Sequence, residues 1–78
     1  MNSVFTDYLQ LLGKYSGRVD AARISPDDYA EFQQAGQRIT AAHEKGYFGA
    51  DEHRALMTIF NRIDDDARFL LKVSAGAE

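Results

Sequence analysis

The chain reads as an all-α protein: a small bundle of three to four helices built on an antiparallel helical hairpin that turns at Gly46. Three observations predict this. Apolar residues recur at helical spacing on both sides of Gly46. A glycine directly after a helical run is a common terminator, because it enters the left-handed region without a side-chain clash. Strand signals are nearly absent: there is no alternating apolar run bounded by turns, only one proline, and few β-branched residues.

Taken in order, the spacing predicts a first helix over 3–15, capped by Ser3. Val4, Phe5, Tyr8, Leu9, Leu11, Leu12 and Tyr15 cover an arc of roughly 160° at the helical period. An arc that wide calls for burial against more than one neighbour. Gly13 and Gly17 bracket the end of this helix, and Ser16-Gly17 marks a joint. Beyond it, Val19, Ala21, Ala22 and Ile24 supply one or two helical turns, which admits a short further helix over 17–23.

The first arm of the hairpin is expected over 26–45. Ser25 is a preferred N-cap, Pro26 lacks an N–H that would be orphaned there, and Asp27 and Asp28 favour the positive end of the dipole. Tyr29, Phe32, Gly36, Ile39 and His43 follow at alternating spacings of three and four, one narrow stripe. Glycine at the middle of such a stripe costs about 1 kcal/mol of helix propensity and is best explained by close approach of another helix. Lys45 suits the negative end, and Tyr47 and Phe48 are expected to fold over the turn.

The second arm is expected over 50–72, with Asp51 and Glu52 in its first turn. Leu56, Ile59, Phe60, Ile63, Ala67, Leu70 and Leu71 form a face of roughly 120°, the width of a core-facing helix. This phase continues through Asp64-Asp65-Asp66, so one unbroken helix is predicted, with Arg62–Asp66 and Asp64–Arg68 as i,i+4 pairs. Residues 74–78 read as a frayed tail.

Length and composition bound the function. Seventy-eight residues allow one domain, whose folding buries only about 60% of the surface of the unfolded chain. There is no cysteine, hence no disulfide and no thiolate metal site; this fits a reducing compartment, and the expected location is the cytoplasm. A net charge of −3 argues against direct nucleic-acid binding, whose footprint is basic. No apolar run approaches the ~20 residues that span a bilayer, so no membrane role is expected. A secretory signal would need a basic stretch ahead of an apolar run, and the N-terminus has neither.

Recognisable catalytic chemistry is missing. Without cysteine, and with Ser3, Ser16 and Ser25 read as caps or joint residues, nucleophilic catalysis lacks its parts. The six glycines are scattered and form no phosphate-binding loop. The acidic triplet fails as a calcium loop, since the sixth position would be Phe69 rather than glycine. Three consecutive helical carboxylates also point 100° apart, so a solvated face is the expected reading. Lys14, Arg18 and Arg23 would give only salt-sensitive phosphate contact. His43 and His53 flank the turn with Glu44, Asp51 and Glu52 nearby. They are the candidate metal ligands for the alternative reading, a metal-binding module or small metalloenzyme.

Thr6-Asp7-Tyr8-Leu9, and His53-Arg54 leading into Asn61-Arg62-Ile63, resemble segments of the Hha/YmoA family. These are small helical bacterial modulators that act by binding a nucleoid-associated protein. The resemblance covers a minor part of the chain, and Gly46 falls where that family would run a helix. It implies a partner-binding regulator.

The leading expectation is therefore a non-enzymatic protein-interaction module without cofactor: a bacterial, plasmid or phage regulator, inhibitor or adaptor. A second form of it is an accessory modulator of a DNA-binding protein, or an acidic nucleic-acid mimic presenting Asp27, Asp28, Glu31 and the 64–66 triplet. The expected interface is the C-terminal half of the second arm. Phe69 and Val73 lie off the core-facing stripe, and Asp65, Asp66 and Met57 complete the candidate set. The partner is another protein or, most simply, a second copy in a symmetric homodimer.

Overall fold

The computed structural model describes residues 3–76, with backbone alone described at 75 and 76. It is all-helical: α1 (Ser3–Asp20), α2 (Pro26–Glu44) and α3 (Ala50–Gly76), with no strand among the described residues. Cross-helix contacts set the directions. Phe32 stacks on Phe60 while His43 stacks on His53, so α3 runs antiparallel to α2. Tyr8 meets Phe48, Tyr15 meets Phe32 and Arg18 meets Asp28, so α1 is antiparallel to α2 and runs alongside α3. The result is an up–down–up rod of 45 × 19 × 18 Å.

The first helix does not stop at 15, nor does a joint follow at Ser16-Gly17. It continues to Asp20, because Leu12, Tyr15 and Val19 recur at spacings of three and four and all three are buried. That packing outweighs the propensity cost of an exposed Gly13 and Gly17. No separate helix forms over 17–23. The chain leaves α1 at Ala22, which adopts φ +55°, with Ala22 N–H donating to Val19 O and Arg23 N–H to Arg18 O. These are the two bonds of a Schellman motif, with alanine at the left-handed position.

The end of α2 repeats the motif with the expected residue. Gly46 has φ +82°, its N–H donates to His43 O at 3.0 Å, and Tyr47 N–H donates to Ala42 O at 3.1 Å. A Cβ on Gly46 would meet nothing within 4 Å, so a substitution there acts through the backbone alone. The two ends make a matched test. Gly46→Val is expected to lower stability by roughly 1–2 kcal/mol, and Ala22→Gly to raise it by up to about 1 kcal/mol. Urea denaturation of both variants checks this; equal and unchanged midpoints would count against the left-handed geometry at these positions.

Ser25 begins α2 with a full capping box: its hydroxyl accepts from Asp28 N–H, and the Asp28 carboxylate accepts from Ser25 N–H, both at 3.1 Å. That backbone bond, joined by the Arg18 guanidinium, holds Asp28 below the usual carboxylate range. Beyond the cap, the stripe packs as its spacing predicts: Phe32, Gly36 and Ile39 are buried, and Tyr29 and His43 half-buried.

The core comprises Leu12, Tyr15, Val19, Phe32, Ile39, Ala42, Phe48, Leu56, Phe60, Ile63 and Ala67. Its centre is Phe32, fully buried. The Phe60 ring lies face to face with it at 4.3 Å, and the Tyr15 ring meets it edge-on at 5.5 Å. Phe48 is buried at the α2–α3 turn, whereas Tyr47 is 54% exposed. In α3, Leu56, Phe60, Ile63 and Ala67 are buried, but Ile59 sits at the margin of the face, 36% exposed. The helix passes through the acidic triplet unbroken and reaches Gly76. The tail expected from 74 is thus helical as far as it is described, and residues 77–78 lie outside the described residues.

Candidate protein-interaction surface

The turn end brings His43 and His53 together. Their rings are parallel within 7° at 4.5 Å between centroids, and Phe48 lies against His43 at 6.2 Å. His43 Nδ1 donates to the Phe48 carbonyl at 3.2 Å, and His53 Nε2 shares a hydrogen with Thr40 Oγ1 at 3.4 Å. This stacking is ill suited to a metal. The lone pairs of an imidazole lie in its ring plane, so two stacked rings direct them side by side rather than at one ion. Among the described residues, no group of three histidine, cysteine or acidic side chains could hold an ion. The pair lies between α2 and α3 near the turn, one ring backed by Phe48 and the other tied to Thr40.

The acidic triplet splits. Asp64 does not belong to a solvated face: it turns toward α2, accepting from Tyr29 Oη at 2.7 Å and Gln33 Nε2 at 2.8 Å while pairing with Arg68 at 3.2 Å. Burial, reinforced by the bond to Asp64, raises the Tyr29 pKa above its ordinary value. Asp65 is exposed and pairs with Arg68 at 3.0 Å. Asp66 is exposed, and the expected Arg62–Asp66 pair does not form: among the described residues neither takes part in an ion pair. Arg68 reaches Asp64 and Asp65 on its own side of the helix, whereas Arg62 and Asp66 look outward between α1 and α3.

Charges proposed for other roles are also occupied. Arg18 is bound to Asp28, and Lys14 and Arg18 both lie over the Tyr15 ring. Of the acidic residues suggested for nucleic-acid mimicry, Asp28 is held by Arg18 and Ser25, and Glu31 accepts from Tyr15 Oη at 3.4 Å. Asp64 and Asp65 are likewise bonded locally, so much of the suggested acidic field is engaged within the fold.

Two surfaces remain. A shallow groove of about 470 Å³ runs along α2 and α3, with Gly36, Met57 and Phe60 as its floor and Gln33, Gln37 and Thr40 among its polar walls. Met57 belongs here, half-buried and packed on the core, on the α2 side of the helix. It lies about 120° around the helix from Phe69 by the helical period and does not join the Phe69 face. That face carries Phe69, 65% exposed, and Val73, 52% exposed, with Asp66 between α1 and Phe69. Sequence reasoning placed Phe69 and Val73 off the core but missed Ile59 and Arg62 on the same side. The signal was present, since stepping back from Phe69 by seven and then three residues reaches Arg62 and Ile59.

Among the described residues, no helix is long and apolar enough to cross a membrane. Compared with protein-family models, with curated proteins and with solved structures, the chain matches none. The resemblance to Hha/YmoA segments therefore gains no support from these comparisons, and the functional reading rests on the surface.

Proposed function

We propose that this chain is a non-enzymatic protein-interaction module, a regulator, inhibitor or adaptor whose working surface is the C-terminal half of α3. In this reading the hairpin turning at Gly46 and the first helix form a rigid frame that holds one helix face outward. The observation that supports it is the exposure of Phe69 and Val73, 65% and 52%, on a helix whose other face is committed to the core. A large aromatic side chain left in water gives up roughly 1.5–3 kcal/mol of burial that contact with a partner would recover. Contiguous exposed apolar groups at one place mark interfaces more often than isolated ones do.

The test is Phe69→Glu. Because the side chain is mostly exposed, the variant is expected to keep the melting temperature within a few degrees, about 0.5 kcal/mol. It should lose capture of the partner when the tagged protein is used as bait in extracts of its native host. A variant that unfolds would place Phe69 in the core. A variant that captures the same proteins as the parent would remove this face as the interface.

A further inference from the structure

The outward stripe of α3 is self-complementary when reversed. Stepping back from Val73 by four and three in turn gives Phe69, Asp66, Arg62, Ile59 and Ala55, the alternation that keeps residues in one seam of a coiled coil. All six are exposed. Read in either direction, the order is two apolar residues, a pair of opposite charges, and two apolar residues. When two such helices lie antiparallel, Ala55 stands opposite Val73, Ile59 opposite Phe69, and Arg62 opposite Asp66, and the two-fold repeats each contact. A parallel pairing would set Arg62 against Arg62 and Asp66 against Asp66.

The surroundings fit a helix in this position. Arg62 and Asp66 are i,i+4 neighbours yet form no ion pair among the described residues. Both line a depression of about 330 Å³ between α1 and α3, together with Ile59 and Asp20. A second depression of about 220 Å³ continues it along Asp20, Asp66 and Phe69. An arginine arriving from outside would meet two carboxylates there, Asp66 and Asp20. Asp65, next to the axis, pairs with Arg68 at 3.0 Å.

We propose that the occupant of this face is a second copy of the same chain, packed α3 against α3 antiparallel about a two-fold axis at the level of Asp64, with Arg62 of each copy paired to Asp66 of the other. The proposal rests on the interaction-module reading and names its partner. Closed two-fold pairing uses each patch once and leaves none exposed for further growth.

Light scattering across a dilution series of the full chain tests it, with a double charge exchange to fix the register. Wild type is expected to pass from dimer to monomer on dilution. Arg62→Asp alone sets acid against acid in both symmetric contacts, and Asp66→Arg alone sets base against base. Each should weaken dimerisation by about a hundredfold or more. An equimolar mixture of the two single variants should recover a heterodimer within about tenfold of the wild-type affinity, and so should the homodimer of Arg62→Asp/Asp66→Arg. Circular dichroism should be unchanged throughout, since both side chains are exposed and neither takes part in an ion pair among the described residues. Three results would overturn the proposal: a wild type that is monomeric at every concentration, single variants that dimerise as well as wild type, or a mixture that fails to recover association. A monomeric wild type whose capture of host proteins still depends on Phe69 would remove the homodimer alone; capture independent of Phe69 would remove the broader reading.

Discussion

Gly36→Leu is expected to lower the melting temperature by roughly 4–24 °C, corresponding to about 1–3 kcal/mol of overpacking at 4–8 °C per kcal/mol in a domain of this size. An ideal Cβ on Gly36 would stand 2.6 Å from two atoms of the Phe60 ring. The outer end of a phenylalanine could swing aside if it were free. Here it is not: Phe60 is only 7% exposed, and its other face lies on Phe32 at 4.3 Å. Displacing the ring breaks that stack, so even alanine sets a helix-propensity gain of about 1 kcal/mol against a clash. Leucine adds three more carbons to the same contact. A melting temperature that rises would mean the two helices are not in contact at Gly36.

Phe32→Ala carries the other large effect, a loss of about 3–5 kcal/mol. Phe32 is fully buried and its ring meets those of Tyr15, Tyr29 and Phe60. Removing it opens a void where all three helices meet, and Tyr15 and Tyr29 are tied to Glu31 and Asp64 by their hydroxyls. Small domains have roughly 5–15 kcal/mol of total stability, and a core this thin belongs at the lower end. The variant should therefore be substantially unfolded at 37 °C, visible as a lost cooperative transition in urea. A loss below about 1 kcal/mol would show that the core is organised elsewhere.

Much of this arrangement was legible in the chain. Gly36 stood in the middle of an otherwise apolar stripe, and the stripe meant contact. Ser25-Pro26-Asp27-Asp28 announced the start of α2, and the phase of Ile63, Ala67 and Leu70 carried α3 through three aspartates. What escaped had a common physical origin: local signals were overridden by partners distant in sequence. Gly17 looked like an end because glycine weakens helices, yet Val19 had a place in the core two residues later. The real end came at Ala22, where alanine occupies a position that normally signals itself with glycine. Asp64 looked solvated because its neighbours are charged, but Tyr29 and Gln33 lie 35 and 31 residues away, and no local pattern encodes them. The candidate surface divided the same way. Periodicity separated Phe69 and Val73 from the core, while the absence of an Arg62–Asp66 ion pair became visible only in three dimensions.

The length of α3 sets up a gradient along it. Twenty-seven residues make a helix of about 40 Å, nearly the long axis of the whole rod. Its support thins toward the end: among the described residues Ala67 is the last fully buried side chain, Leu70 and Leu71 are half-covered, and Lys72, Val73 and Ser74 are exposed. Backbone amides open with a free energy that follows the burial around them. Deuterium should therefore enter the final turns within seconds to minutes, while the amides around Leu56 and Phe60 exchange only on global unfolding. Val73 lies on the fast-exchanging side of that boundary. Any contact made there must first hold the last turns in place, so association would be read as newly protected amides after Leu71, with little change in the rest of the rod.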